Sequence, residues 1–233
     1  MKNKNPEKRL EKFWGKVDKK HVQIIGKFLH GKNVLDMGCG YGTTTAYVTS
    51  QGYNCIGIDY DQSAIDSALK RFPGCKYQFA NAEALPFEND YFDVIIMRDA
   101  LHHFKGEADF EKVKTELLRV TKKDATVIFF DPNVNFMLRT MRKISFHKDE
   151  ECDYEDAVKI MGQLDFKITH ASFNTLYSLP LSGGYVGVNF VPDLGVLHSF
   201  ILGSERFFEK IVNGLGLGRY LCWRYVIVGQ RKT

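Results

Sequence analysis

The chain has 233 residues, with 44% hydrophobic and 26% charged side chains and a formal net charge of +4. That size suits one domain with a substantial core, and no apolar run approaches the roughly 18 residues of a membrane span. The polar start, Met1 to Arg9, is no secretory signal. The five cysteines are scattered without a CxxC pair, which speaks against a zinc site and for reduced thiols in a cytoplasmic protein. Much of the positive excess sits in the first twenty residues and reads as a solvated basic arm. The modest charge, without aromatic–basic interleaving, argues against nucleic acid.

The first amphipathic stretch carries Val22, Ile25, Phe28 and Leu29 and breaks at His30-Gly31-Lys32. Residues 1–32 are read as an N-terminal helical cap. Asn33 to Met37 is a short apolar strand followed by a glycine-rich turn, with helix from Thr43. Asn54 to Asp59 is a second strand, and Ile65, Ala68, Leu69 and Phe72 mark the next helix. Lys76 to Ala80 is a third strand. Phe92 to Met97 is a fourth, almost wholly apolar, as a strand covered on both faces should be. A helix through Phe110, Val113, Leu117 and Val120 leads to a fifth strand, Ala125 to Asp131. Such alternation predicts an α/β fold, a mostly parallel sheet of right-handed βαβ units with helices on both faces.

The last third reads differently. Asp153 to Leu164 has helical spacing, Phe166 to Leu176 reads as a strand, and Tyr220 to Gln230 as the final strand. Ser204 is placed as the cap of a helix carrying Phe207, Phe208, Ile211 and Val212. Residues 177–203, apolar and without a clean period, are taken as a lid or substrate-side insertion. The chain is thus read as one domain: the cap, a cofactor-binding core over 33–131 and a C-terminal part over 132–233.

The chemical signal is Asp36-Met37-Gly38-Cys39-Gly40-Tyr41-Gly42-Thr43. The glycines allow a sharp strand-to-helix turn and close approach of backbone to a ligand, and a helix starting at Thr43 aims its positive end there. A dinucleotide fingerprint is GxGxxG; here the spacing is GxGxG. Asp36 would repel a pyrophosphate but attract a sulfonium or an α-amino group. Spacing and acid together favour a cationic, phosphate-free cofactor. Asp59, ending the second strand, can accept hydrogen bonds from both hydroxyls of a ribose, and Tyr60 can pack on an adenine face.

On these residues the chain resembles the class I S-adenosylmethionine (SAM)-dependent methyltransferases, most of all the type 11 subgroup whose ubiquinone and menaquinone-biosynthesis members are familiar. The resemblance runs from about Asn33 to Asp131 and implies a Rossmann-like sheet of seven strands with an antiparallel last strand. It also implies that Gly38, Gly40 and Gly42 hold the methionine end of SAM and Asp59 the ribose. The run Phe79 to Phe87, followed by Tyr91-Phe92-Asp93, matches the family's loop after the third strand. By that match Asn81 accepts from the adenine amino group, Ala82 offers its backbone N–H, and Glu83 joins the cofactor set. Asn81 stands where the family has an Asp and so lacks the charge. Lys122-Lys123-Asp124-Ala125 stands where it has a Pro-Gly-Gly turn.

Arg98-Asp99-Ala100-Leu101-His102-His103 follows the fourth strand, at the carboxyl edge where open α/β sheets bind ligands. Arg98 is expected to meet SAM through its backbone. His103, and next to it His102, are the candidate general bases, against a reading in which they only pack or cap. The Asn/Asp-Pro-Pro run of amino-group methylators and the Pro-Cys of cytosine C5 methylators are both missing there. An apolar lid suits a small apolar or aromatic methyl acceptor. The competing readings are a SAM-fold binding protein without catalysis and a nicotinamide-dependent oxidoreductase, which the GxGxG spacing and Asp36 oppose.

Overall fold

The computed structural model describes residues 13–101, 109–136, 138–140, 152–182 and 190–232. The chain divides into two compact units. One comprises Ile25–Asp131, Glu150–Ala171 and Val226–Thr233; the other comprises Met1–Ile24, Pro132–Asp149 and Ser172–Tyr225. The elements in chain order are α1 (Phe13–Gly26), β1 (Asn33–Met37), α2 (Thr43–Ser50), β2 (Asn54–Asp59), α3 (Gln62–Arg71), β3 (Lys76–Phe79), β4 (Phe92–Arg98), α4 (Phe110–Val120), β5 (Thr121–Pro132), α5 (Tyr154–Gln163), β6 (Phe166–Asn174), α6 (Ser178–Leu181), α7 (Gly195–Gly214), α8 (Gly218–Leu221) and β7 (Arg224–Arg231).

The seven strands form one sheet in the order β3-β2-β1-β4-β5-β7-β6. β1 pairs in parallel with β2 and β4, and β4 with β5. One of the last two strands, β7, runs the other way. Lys232 N–H donates to Asp165 O and Thr169 Oγ1 to Val228 O, so β6 and β7 are antiparallel. The Arg231 side chain meets Thr121 O at the start of β5, whereas Asn133 N–H, past its end, donates to Trp223 O. β7 is therefore antiparallel to β5 as well. The expected Rossmann-like sheet with a reversed last strand is what forms.

Local chemistry explains the helices of the first unit. The Asp61 carboxylate accepts Ser63 N–H and starts α3, which buries Ala64, Ile65 and Ala68. Asp109 caps α4, burying Val113, Leu117 and Val120. Asp153 and Asp156 cap α5 reciprocally. All of β4 but Arg98 is buried, as its apolar run predicted. One expectation is corrected here. Lys122-Lys123-Asp124 is not a turn before the fifth strand but part of β5, which begins at Thr121. Pairing jumps from Phe92–Thr121 to Val94–Thr126, so the extra residues of β5 are absorbed in a bulge.

The second unit has an apolar cluster of Phe13, Val17, Val134, Leu138, Leu179, Val191 and Trp223. Beside it lies a polar clamp. Lys20 Nζ donates to Glu205 Oε2 at 2.5 Å and to Glu209 Oε1 at 2.6 Å. Glu205 Oε1 accepts the N–H groups of Leu176, Tyr177 and Ser178, and Glu209 Oε1 that of Thr175. Thr175, a β-branched residue with φ +67°, is held in this rare conformation by Glu209 and by His21, whose Nε2 lies 3.0 Å from its hydroxyl. One turn on, the Asn213 amide donates to Phe173 O and accepts Phe173 N–H. Glu205, Glu209 and Asn213 recur every four residues, which puts them on one helical face.

Three further sequence expectations change. The helix expected to start at Ser204 starts at Gly195, and Ser204 sits within it, 2.6 Å from the Tyr177 hydroxyl. The segment 177–203 supplies α6 and the first turns of α7, while Tyr185, Val186 and Val188 lie outside the described residues. The final strand starts at Arg224, because Gly218–Leu221 is helical.

Candidate functional site

The strand order reverses between β1 and β4: the chain fills the sheet outward on one side through β2 and β3, and on the other through β5. Crevices at such reversals, outside the carboxyl ends of the strands, are where open α/β sheets bind ligands. Asp36 and the glycine loop end β1, Asp59 ends β2, and Arg98 ends β4. The residues singled out in the sequence therefore share one edge of the sheet.

The loop is tied down through its own backbone. Gly38 and Cys39 N–H both donate to Ile58 O at 2.9 Å, and Gly42 N–H to Cys39 O. Gly40 N–H donates to Asp59 Oδ2 at 2.8 Å, and Asp61 N–H to Asp59 Oδ1 at 3.0 Å. Gly42 starts α2 in the left-handed region, φ +82°. A Cβ there would lie 2.4 Å from the Tyr77 hydroxyl, which donates to Gly42 O. Gly40 also has positive φ, yet a Cβ on it would meet nothing within 4 Å among the described residues. Two glycines of one loop thus answer different needs, Gly42 packing and Gly40 open space beside Asp59.

Asp36 lies beneath the loop, 1% exposed. Its Oδ2 accepts the Thr45 hydroxyl at 2.6 Å, while the buried Oδ1 accepts no hydrogen bond from the described residues. Burial pushes its carboxyl up to about 6, against the Thr45 hydroxyl and the Arg98 guanidinium, which favour the charged form. Burial, with the Asp36 and Asp59 carboxylates nearby, also raises the Cys39 thiol, so Cys39 stays an un-ionised turn residue.

The residues expected on the adenine side are partly engaged elsewhere. Tyr60 is exposed, and Ala80 N–H donates to Asp59 O, which sets the loop after β3 beside Asp59. Asn81 Oδ1 accepts Glu83 N–H at 2.9 Å. The Glu83 carboxylate turns to the start of α4, accepting Asp109 N–H, with Lys112 3.7 Å away. It braces a helix rather than joining the loop around Asp59. Arg98 does more than its backbone promised: Nη1 reaches Thr44 Oγ1, at 3.4 Å, in the first turn of α2. His102 and His103 lie outside the described residues.

Four residues of this edge were not foreseen. Thr44 and Thr45 link Arg98 and Asp36 to the start of α2; their signal was the Thr-Thr-Thr run after the last glycine. Asp131, 1% exposed, accepts Leu101 N–H at the end of β5. Asp99 adopts φ +56° directly after β4, the kind of backbone strain that gathers at functional edges.

Comparison with known proteins agrees with this geometry. Residues 35–129 match the family described as "Methyltransferase domain". Over 103 residues, 42% of this chain, the sequence is 35% identical to a protein of Bacillus subtilis named uncharacterized methyltransferase YcgJ, covering 40% of that protein. Over 107 residues, 44% of this chain, it is 31% identical to the phthiotriol/phenolphthiotriol dimycocerosates methyltransferase of Mycobacterium leprae, covering 38% of it. The matches thus span about two fifths of the length of these curated relatives. Among solved structures, the fold is shared with a geranyl diphosphate C-methyltransferase of Streptomyces coelicolor, at TM-score 0.66 and 11% identity over 94% of this chain and 82% of that one. It is also shared with a SAM-dependent methyltransferase of Methanosarcina mazei, at TM-score 0.61 and 19% identity over 89% and 96%.

Proposed function

We propose that this chain, whose residues 35–129 match the methyltransferase-domain family, is a class I SAM-dependent methyltransferase that holds SAM on the glycine loop and passes its methyl group to a small apolar or aromatic acceptor. The observation that carries the reading is Gly40, whose missing side chain leaves open space next to a carboxylate with acceptor capacity to spare. Each oxygen of Asp59 accepts one N–H and keeps a further lone pair for a ribose hydroxyl. Tyr60 offers an exposed ring to the adenine. Asp36 Oδ1 is a buried acceptor without a donor among the described residues, suited to the α-ammonium group, and its negative charge suits a cationic ligand.

Bound SAM supplies a methyl group on positive sulfur, already open to in-line displacement. The protein then has to align the acceptor and exclude water, not furnish a covalent nucleophile. His103, with His102 as second choice, is our candidate for taking the acceptor's proton, on the strength of its place after β4. The acceptor class draws on the apolar run of residues 177–203 and on a relative named for phthiotriol/phenolphthiotriol dimycocerosates.

Calorimetry with SAM, S-adenosylhomocysteine and NAD tests the cofactor. The first two should bind and raise the melting temperature, and NAD binding tighter than SAM overturns the reading. With SAM bound, production of S-adenosylhomocysteine across lipid, quinone-precursor and phenolic acceptors tests the rest. His103→Ala should slow that turnover about 10²–10⁴-fold without loss of SAM affinity; a change within about threefold makes the histidine structural.

A further inference from the structure

Helix α7 is amphipathic with its faces exchanged. Glu205 is fully buried and Glu209 and His198 nearly so, whereas Val196 is 86% and Phe200 72% exposed. Phe207, Ile211 and Leu215, spaced by four, continue that exposed row, with Phe208 beside it. The row runs most of the helix's length, about 30 Å for its 20 residues. Leu217, Tyr220 and Leu221 of the α8 region are exposed as well. Between the two helices Leu176, Tyr177, Phe208, Val212 and Leu221 line a shallow apolar hollow of about 400 Å³. Scattered exposed apolar residues are ordinary, but a continuous stripe of this kind marks a contact surface.

Charge says what the contact is. From Ser172 to Tyr225 the only acids are Asp193, Glu205 and Glu209. The two glutamates are turned inward onto Lys20 and the 175–178 backbone. Asp193 precedes the helix. What flanks the apolar row is cationic: Arg206 and Lys210 on one side of α7, and Arg219 on α8, all exposed. An apolar face bordered by cations and cleared of anions is the pattern of a helix lying in the plane of a membrane interface. A second copy of the same face would bring cations against cations. None of the described helices is long and apolar enough to cross a membrane, so the contact this face offers is one in the plane of a surface, not across it.

We propose that the α7–α8 face docks this protein on an anionic phospholipid surface, with Phe200, Phe207, Ile211 and Leu215 entering the acyl boundary and Arg206 and Lys210 meeting the headgroups. This holds whether or not SAM is the cofactor. The test is sedimentation of the full chain with vesicles of phosphatidylcholine alone or mixed with phosphatidylglycerol, at low and high salt. Binding should need the anionic lipid and weaken as salt rises. Phe207→Ser with Ile211→Ser should reduce it at least about tenfold. Arg206→Gln and Lys210→Gln, which remove no apolar contact, should each cost about fivefold on the mixed vesicles. Circular dichroism and melting of each variant establish that it is folded. No binding to either vesicle, or equal binding to both, overturns the proposal. So does a solution dimer that Phe207→Ser dissociates while vesicles remain unbound, which would give the face to a second copy.

Discussion

The glycine loop and the α7 clamp each hold two buried or half-buried carboxylates, and the contrast between them is sharpest at Glu205 of the clamp. Glu205 accepts three N–H groups on one oxygen and Lys20 on the other, and Glu209 accepts Lys20 and Thr175. Asp59 accepts one N–H per oxygen, and Asp36 has an oxygen that accepts none. A carboxylate offers about four lone-pair sites, so Glu205 uses what it has while the two acids of the loop keep capacity in reserve. Saturated acids fix a chain segment; unsaturated ones next to open space await a ligand.

The largest expected effect tests the clamp. Lys20→Met leaves two carboxylates in a buried site with no cation, a loss of about 3–5 kcal/mol. At this chain length that is a fall in melting temperature of roughly 10 °C or more. SAM affinity should be unchanged wherever the variant is folded. A loss below about 1 kcal/mol in urea titration would mean that the N–H groups alone sustain the acids.

Next comes Asp36, whose carboxyl is pushed from 3.8 to about 6 by burial. The folded state then binds the proton more tightly than the unfolded chain. Stability from this group is full below about pH 4 and is lost as pH rises through 6, by about 3 kcal/mol. Asp36→Asn removes that dependence, so the variant should gain on wild type by about that amount between pH 4 and pH 7 in denaturant titrations without ligand. Arg98, Asp59 and Cys39 share this surrounding and stay in place. SAM binding should show the reverse trend in wild type, tightening from pH 5 to pH 7 as the carboxylate forms, and the variant should lack it.

Asp59→Ala should cost SAM affinity roughly 1–3 kcal/mol by leaving ribose hydroxyls unpaired. Gly40→Val should cost more, since it fills the open space itself; calorimetry that finds both like wild type removes the loop from the site. The smallest effect is expected at Asn81, whose oxygen already serves Glu83 N–H. Asn81→Ala should weaken SAM by less than about 1 kcal/mol, and a larger loss would show that the adenine leans on it.

Most of the first unit could be read from sequence because its signals are local. The apolar run of β4, the spacing of α3 and α4, and the turn after β1 each lie within a dozen residues. The second unit misled for a physical reason. Phe207, Phe208, Ile211 and Val212 have correct helical spacing, and an apolar stripe is normally the inner one. Here the inner one carries Glu205 and Glu209, because Lys20, far away in the chain, receives them. No local pattern contains that partner. The Lys122–Asp124 stretch differed for another reason: the family resemblance put a turn there, yet a bulge lets these residues extend β5. At the site, acids and glycines announced themselves, while Thr44 and Thr45 did not, since a hydroxyl on a helix's first turn looks neutral until Asp36 and Arg98 are seen against it.

The Asn213 amide has a consequence for solubility. β6 is the outermost strand of the sheet, and outermost strands invite pairing with another chain because their N–H and C=O groups face outward. A primary amide presents an N–H and a C=O on the same side, as one residue of a paired antiparallel strand does. By donating to Phe173 O and accepting Phe173 N–H, Asn213 stands in for the missing neighbour at that position. An incoming strand would find there neither a donor nor an acceptor to begin a ladder.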